Sequence, residues 1–210
     1  MKLVGMLDSP YVRRVAISLQ LLGLRFEHQS LSVFSTFSQF QQINPVVKAP
    51  TLVCDDGEVL LDSSLILEYA QALARPRSLM PTQTLELQHD LRVIGLALAA
   101  CEKSVQIVYE RGLRPPEKLH EPWVARVTGQ LHAAYRALDD ELSRRPLAVS
   151  RSTITQAGVS TAVSWQFTQQ MLPELVPAAG YPALVAFSAQ AEALPEFSAA
   201  PHGDSTFRTV

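Results

Sequence analysis

The pattern of apolar residues changes near residue 80 of this 210-residue chain. Before that point, short apolar runs alternate with stretches in which apolar residues recur at helical spacing. After it, every strong pattern is helical. The change predicts an α/β unit followed by an all-helical unit, and this order limits the folds that the chain can adopt.

The first part of the sequence predicts the element order β-α-β-α-β-β-α. Its first strand, helix and second strand favour a parallel pair joined by a right-handed crossover. Asp55-Asp56-Gly57 separates two later strands and predicts a hairpin. A closing helix should turn Leu65, Ile66 and Tyr69 inward. The predicted strands cover residues 3–7, 25–31, 51–54 and 58–61, and the closing helix covers 64–73.

The breaker-rich segment around Pro76 and Pro81 predicts a linker. We therefore expect domains at 1–76 and 84–210, joined by residues 77–83. Trp123 should lie on the apolar stripe of the second helix of the helical part. The four main helices predicted there cover residues 85–111, 122–143, 155–171 and 182–193.

Composition excludes several classes of protein. The net charge of −2 argues against a nucleic-acid partner, which normally requires a basic surface. Cys54 and Cys101 are far apart in apolar settings, so we expect no disulfide framework, and the five histidines lack metal-ligand spacing. No stretch suits a signal peptide or a membrane span, so we expect a cytoplasmic protein without membrane contact.

Ser9 lies between the first predicted strand and the first predicted helix, with Pro10 at the first helical position. Serine is a preferred N-cap because its hydroxyl satisfies free backbone N–H groups. The position is also at the carboxyl end of a strand, where a hydroxyl and a helix N-terminus can stabilise an anion. Both roles fit these residues.

Pro50 precedes the predicted strand 51–54, a position that proline tolerates mainly at edges and strand starts. A cis Ala49–Pro50 bond would explain this placement. The bend would leave the Ala49 N–H and C=O unpaired by the hairpin, where they can pair with an extended peptide ligand.

Asp62 and Ser63 follow the hairpin and have the composition of a helix cap. The backbone N–H groups at such a cap, together with the Ser63 hydroxyl, also suit a ligand carboxylate. Asp62 in turn suits an ammonium group.

Taken together, these segments resemble the glutathione transferase family, in particular its bacterial members with a serine at the active position. A looser match continues through the helical part. The segments that carry the resemblance are Ser9-Pro10-Tyr11-Val12-Arg13, Asn44-Pro45, Ala49-Pro50-Thr51-Leu52, Asp62-Ser63, Ile66-Leu67-Glu68-Tyr69, Ile154-Thr155-Gln156-Ala157-Gly158-Val159, Tyr181-Pro182 and Leu194-Pro195-Glu196-Phe197.

The resemblance implies a thioredoxin-like N-terminal domain of order βαβαββα and an all-α C-terminal domain. It implies glutathione as co-substrate and no metal. The Ala49 backbone would pair with the cysteinyl part of glutathione beside cis Pro50. Asp62 and Ser63 would hold the γ-glutamyl ammonium and carboxylate, and Lys48 the glycyl carboxylate.

The resemblance also assigns Ser9 as the catalytic residue that donates its hydroxyl to the glutathione sulfur. Tyr11 is a rival for this role, although a packing role suits its place in the first helical turn better. Tyr11, Gln106 and Tyr109 are candidates for the pocket of a small, apolar electrophile. Trp165 fits the core better.

The activity expected from the resemblance is that of a homodimeric detoxification transferase. Two alternatives stay open: a non-catalytic stress or interaction protein of the same fold, and a glutathione-dependent isomerase. Isomerase-type relatives usually carry a Ser-Ser-Cys-like run where this chain has Ser9-Pro10-Tyr11. Serine cannot form a mixed disulfide with glutathione, which disfavours thiol-disulfide reduction.

Gly158 departs from the family pattern, which usually has an acidic residue at this third position of its helix. Thr155 can still cap the helix, and Ile154 with Val159 can form a hydrophobic staple. Glycine costs about 1 kcal/mol against alanine within a helix. We therefore expect Gly158 to weaken this helix and Gly158→Asp to strengthen it.

Overall fold

A mixed four-stranded sheet of order β2-β1-β3-β4 organises the first part of the chain. The computed structural model describes residues 1–205 and Phe207. Strand β1 pairs in parallel with β2 and antiparallel with β3, and β3 pairs antiparallel with β4. The predicted element order and hairpin are confirmed. The strands are β1 (Lys2–Val4), β2 (Glu27–Gln29), β3 (Thr51–Val53) and β4 (Val59–Leu61).

Each strand has three residues, fewer than the apolar runs predicted. Strand β1 is short because Gly5, with a φ of +137°, turns the chain away from the extended conformation. Leu7 remains fully buried although it lies outside the strand. The apolar run therefore marks core residues beyond the end of the ladder.

Three helices pack on this sheet: α1 (Pro10–Leu21), α2 (Phe37–Ile43) and α3 (Ser63–Leu73). The buried face of α3 is formed by Ser63, Ile66, Leu67 and Ala70, which recur at i, i+3, i+4 and i+7. Leu65 lies off this face with 60% of its surface exposed, so its predicted inward orientation is wrong.

The second part is helical, as predicted. Its helix α6 is buried on every side over most of its length, because its small Ala, Gly, Ser and Thr residues allow neighbours to approach closely. Trp165 is buried, as expected, whereas Trp123 is 42% exposed, which corrects its predicted place on the apolar stripe. The helices are α4 (Thr84–Leu113), α5 (Glu121–Arg144), α6 (Gln156–Met171) and α7 (Pro182–Glu192).

No helix among the described residues combines the length and the apolar character needed to cross a bilayer.

The chain divides into an N-terminal unit, Met1–Leu79 with Ala193–Val210, and a helical unit, Met80–Glu192. We expected the last residues to belong to the helical domain 84–210, and the contacts group them with the N-terminal unit instead. The short helix α8 (Pro195–Ser198) contacts α1, because buried Arg13 donates from Nε to the Ala200 carbonyl at 2.7 Å.

Gly158 is a packing residue of the helical unit. A Cβ at this position would lie 2.9 Å from Cγ1 of Ile154, closer than side chains normally approach. Thr155 occupies the N-cap of α6 without a side-chain hydrogen bond to the backbone. Thr155 therefore has the predicted N-cap position but lacks the side-chain hydrogen bond of a cap, and the glycine provides space for Ile154.

Candidate functional site

Strand pairing brings the three sequence segments to one end of the sheet. Val4, the last residue of β1, pairs with Thr51, the first residue of β3. Thr51 also pairs with Leu61, the last residue of β4. The chain leading to Ser9, the residues before β3 and the residues after β4 therefore leave the sheet side by side.

Ser9 is the N-cap of α1, and its Oγ accepts the Val12 N–H at 3.4 Å. Its carbonyl accepts the Arg13 N–H at 2.9 Å, the first hydrogen bond of the helix. The Oγ acts as an acceptor here, so the hydroxyl proton is still able to donate. Capping and anion binding are thus compatible, and the half-buried side chain stands at the positive end of a 12-residue helix.

Gly5 allows the second segment to approach the first. A Cβ on Gly5 would lie 2.6 Å from Cγ2 of Val12 and 3.1 Å from Cβ of Ala49. Any larger residue would push these two neighbours apart. The sequence reasoning missed this position, although a glycine directly after a strand is a signal of close backbone approach.

The peptide bond between Ala49 and Pro50 is cis, as expected. Sheet pairing of β3 starts only at Thr51, so Ala49 precedes the ladder. Ala49 is half-buried and Pro50 is buried. The backbone of Ala49 thus lies next to the sheet without being part of its ladder.

Buried Asn44 organises the loop before Ala49. Its Nδ2 donates to Thr51 Oγ1 at 2.8 Å, and its Oδ1 accepts the Val46 N–H at 3.0 Å. Thr51 Oγ1 in turn donates to the Lys48 carbonyl at 2.7 Å. Val47 has a φ of +51°, which is rare for a β-branched residue and shows how tightly these contacts define the loop.

The third segment starts α3. Asp62 is the N-cap with a φ of +71°, and its Oδ1 accepts the Ser64 N–H at 2.9 Å. Ser63 is buried, and its Oγ accepts a hydrogen bond from Arg14 Nη1 at 3.0 Å. Arg14 was not among the predicted residues, because an arginine in an amphipathic helix normally lies on the solvent side.

The predicted ligand residues Lys48 and Asp62 contact each other. Lys48 Nζ lies 3.6 Å from Asp62 Oδ2, and both side chains are about half exposed. The pair places one cation and one anion at the same end of the sheet as Ser9 and Ser63. Both charges are accessible to a zwitterionic ligand.

The remaining predicted residues belong to different units. Tyr11 is half-buried in the first turn of α1 of the N-terminal unit. Gln106 and Tyr109 lie on α4 of the helical unit. Gln106 donates from Nε2 to Glu102 Oε1 at 2.7 Å, and Tyr109 is 44% exposed.

The two cysteines of the protein lie outside the three segments that form this site. Cys54 and Cys101 are buried thiols. Burial raises the pKa of the Cys54 thiol, which keeps it protonated and unreactive. No three His, Cys, Asp or Glu side chains in the described part of the chain are grouped to hold a metal ion.

His28 supports the loop after β1. Its Nε2 pairs with the Gly5 carbonyl at 2.7 Å, and the Phe207 N–H donates to its Nδ1 at 2.9 Å. These two partners require a neutral ring with its proton on Nε2. Burial lowers the pKa of His28, while the Gly5 carbonyl opposes this shift.

The site therefore combines two helix N-termini, two serine hydroxyls, an accessible cation and anion, and a backbone segment outside the sheet ladder. A mixed sheet of order β2-β1-β3-β4 with the helices α1 to α3 defines a thioredoxin-like α/β unit, and a helical unit accompanies it.

The comparisons with known proteins agree with this class. Residues 3–78 match the family model of the glutathione S-transferase N-terminal domain, which covers the sheet and the helices α1 to α3. The N-terminal part of the chain is therefore similar to the N-terminal domain of glutathione S-transferases. The chain is 26% identical to the uncharacterized GST-like protein YibF of Escherichia coli over 82% of this chain and 85% of that protein.

Two further relatives show how far the likeness extends. A glutathione transferase family member from Pseudomonas fluorescens, crystallised with bound glutathione, is 27% identical and has a TM-score of 0.82. That likeness covers 96% of this chain and 98% of the other. Glutathione S-transferase U7 of Arabidopsis thaliana is 33% identical, but over only 40% of this chain and 37% of that protein.

Proposed function

We propose that this protein is a glutathione transferase that binds glutathione at this end of the sheet and activates its thiol. The observation that carries the proposal is the Ser9 hydroxyl at the N-terminus of α1, which accepts the Val12 N–H and can therefore still donate its own proton. The Pseudomonas fluorescens relative that holds glutathione supports the choice of ligand.

In this proposal the cysteinyl part of glutathione pairs with the backbone of Ala49, next to cis Pro50. The γ-glutamyl group binds at the N-terminus of α3, its carboxylate on Ser63 and its ammonium on Asp62. Lys48 leaves Asp62 and turns to the glycyl carboxylate. Each ligand charge then meets a group of opposite sign or a donor.

The contribution required of Ser9 is modest. The pKa of a thiol, ordinarily ~8.5, must fall by roughly two units for the thiol to be mostly thiolate at neutral pH. This shift corresponds to about 2.7 kcal/mol. One hydrogen bond to a charged group contributes about 1.5–3 kcal/mol. A helix N-terminus adds about 0.3–1 kcal/mol. Ser9 and α1 together are sufficient without a protein base.

The second substrate in this proposal is a small apolar electrophile, which the thiolate attacks while its leaving group departs with the electron pair. Tyr11, Gln106 and Tyr109 are proposed to contact it, with the exposed ring of Tyr109 supporting that assignment. Alanine variants of these three residues should raise KM for the electrophile and leave glutathione affinity unchanged.

The test compares Ser9→Ala with Ser9→Thr, which retains a hydroxyl. Ultraviolet titration measures the pKa of the bound thiol, and a chlorodinitrobenzene assay measures turnover. We expect Ser9→Ala to raise the thiol pKa and to lower turnover at neutral pH by about tenfold or more, with glutathione still bound. Ser9→Thr should remain closer to the wild type.

Unchanged turnover in Ser9→Ala would remove Ser9 from the mechanism. Glutathione binding without conjugation of any electrophile in a panel would favour the non-catalytic alternative. Because Ser9→Ala also removes a cap worth about 1 kcal/mol, the variants are compared well below their unfolding temperatures.

We further propose that the protein is a cytoplasmic homodimer. Its two buried cysteine thiols suit the reducing cytosol, where glutathione is the thiol buffer. The N-terminal unit exposes Val46 and Leu65, at 65% and 60%, which suits contact with a second copy of the chain. A sedimentation mass of one chain at micromolar concentration would contradict the dimer.

A further inference from the structure

Arg14 connects α1 to the start of α3. Only 3% of its surface is exposed. Its Nη1 donates to Ser63 Oγ at 3.0 Å and to Ser64 Oγ at 3.3 Å. The neighbouring Arg13 is equally buried but points elsewhere, to the carbonyls of Phe197 and Ala200.

The chemistry of the guanidinium determines how these serine hydroxyls are oriented. Arginine carries five N–H donors and no acceptor, so Ser63 and Ser64 can only accept from it. Their hydroxyl protons must then point away from Arg14. A serine held in this way is a donor toward any group that approaches from the other side.

The carboxylate of an N-terminal ligand group is the acceptor that such donors suit. The Ser64 N–H is already used by Asp62 Oδ1, so the two hydroxyls supply directional donors at this cap beside the other backbone N–H groups of the first turn. The positive charge of Arg14 lies directly behind them. It polarises the Ser63 and Ser64 hydroxyls and favours an anion in front of them.

We propose that Arg14 is a positioning residue, which orients the Ser63 and Ser64 hydroxyls as donors to the α-carboxylate of the γ-glutamyl group. The inference rests on the proposed binding of glutathione and adds a residue to it. Arg14 does not touch the ligand in this arrangement. It acts through the two serines, and its loss should affect only recognition of this carboxylate.

The test measures binding of two peptides by calorimetry. One is glutathione, and the other is γ-aminobutyryl-cysteinyl-glycine, which lacks the α-carboxylate and is otherwise the same. The Kd of the analogue divided by the Kd of glutathione is a ratio that reports recognition of the carboxylate alone. A general loss of folding or of thiol binding changes both Kd values together and leaves the ratio unchanged.

We expect Arg14→Met to reduce this ratio by about 10- to 100-fold, the range for a lost hydrogen bond to a charged group. Ser63→Ala should reduce the ratio as well. The double variant Arg14→Met/Ser63→Ala should reduce it by less than the product of the two single reductions. Arg14→Lys retains one buried donor group and should reduce the ratio less than Arg14→Met does. Arg13→Lys, the matched control on the same helix, should keep the wild-type ratio.

If Arg14→Met does not fold, a double-mutant cycle of Arg14→Lys and Ser63→Ala gives the same information. The effects of the two substitutions on the Kd ratio can be coupled only if the group at position 14 acts through Ser63. An unchanged ratio in the Arg14 variants, with wild-type protein binding glutathione, overturns the role of Arg14 and leaves the proposed function intact. Failure of the wild-type protein to bind glutathione overturns both.

Discussion

Lys48 Nζ lies 3.6 Å from Asp62 Oδ2, so the two charged residues expected at opposite ends of one tripeptide neutralise each other. Both side chains are about half exposed, and such an ion pair contributes only about 0–1 kcal/mol. A ligand that supplies its own carboxylate and ammonium can therefore separate the pair at little cost.

Replacing Lys48 tests which ligand carboxylate it serves. We expect Lys48→Met to weaken glutathione binding by about two- to fivefold, as for an exposed ion pair. The affinity for γ-glutamyl-cysteinyl-ethylamide, in which a methyl group replaces the glycyl carboxylate, should stay unchanged, and Lys48→Arg should bind glutathione like the wild type. Equal weakening for both peptides would mean that Lys48 acts through Asp62 instead.

His28 should make the stability of the protein depend on pH. Burial lowers the pKa of His28 in the folded protein, whereas in the unfolded chain it titrates near ~6.5. Between these two values only the unfolded chain binds the proton. The stabilisation from neutral His28 is therefore complete above pH ~6.5 and is lost as the pH falls toward the folded pKa.

The measurement is the free energy of unfolding of wild type and His28→Gln between neutral and mildly acidic pH. The glutamine amide retains a donor for the Gly5 carbonyl and does not titrate. The wild type should lose stability relative to His28→Gln by at most about 1.4 kcal/mol per pH unit, the limit for one proton. Parallel curves would show that His28 has no such role.

Arg13 should hold the C-terminal segment on α1. Its guanidinium serves the buried carbonyls of Ala200 and Phe197 and lies 5.7 Å from the centre of the Phe197 ring. Arg13→Met leaves these carbonyls without that donor and should cost about 1–3 kcal/mol.

Hydrogen exchange gives the readout for Arg13, with faster exchange expected in residues 193–205 of Arg13→Met. The exposed Arg25 provides the control, since Arg25→Met should change stability by less than about 0.5 kcal/mol. Equal exchange in wild type and Arg13→Met would mean that other contacts hold the segment.

Gly158→Asp should destabilise the protein, contrary to what the sequence pattern alone predicts. The new Cβ would meet Ile154 Cγ1 at 2.9 Å, and the buried carboxylate would lose its hydration. Overpacking alone costs about 1–3 kcal/mol, more than the roughly 1 kcal/mol that a helix gains by losing a glycine.

Thermal and denaturant unfolding measure this effect. Gly129 on α5 is the matched control, because a Cβ there meets nothing within 4 Å. Gly129→Ala should stabilise the protein by about 0.5–1 kcal/mol. A Gly158→Asp protein as stable as the wild type would show that Ile154 moves aside freely.

Local patterns in the sequence determined the element order and the site segments. Helical and strand spacing predicted the sheet and the long helices, because these periods arise from backbone geometry that neighbouring residues share. The helix caps at Ser9 and Asp62 and the cis 49–50 bond were likewise predicted from short segments whose capping and turn chemistry is local.

Only the tertiary structure decided the contacts that join distant segments. Arg14 reaches a serine 49 residues away, and Arg13 reaches a carbonyl 187 residues away, whereas both looked like surface residues in sequence. A guanidinium is buried only when partners satisfy its donors, and those partners come from other elements of the fold. For the same reason, the space at Gly158 and the place of the last residues followed from packing and not from the local pattern.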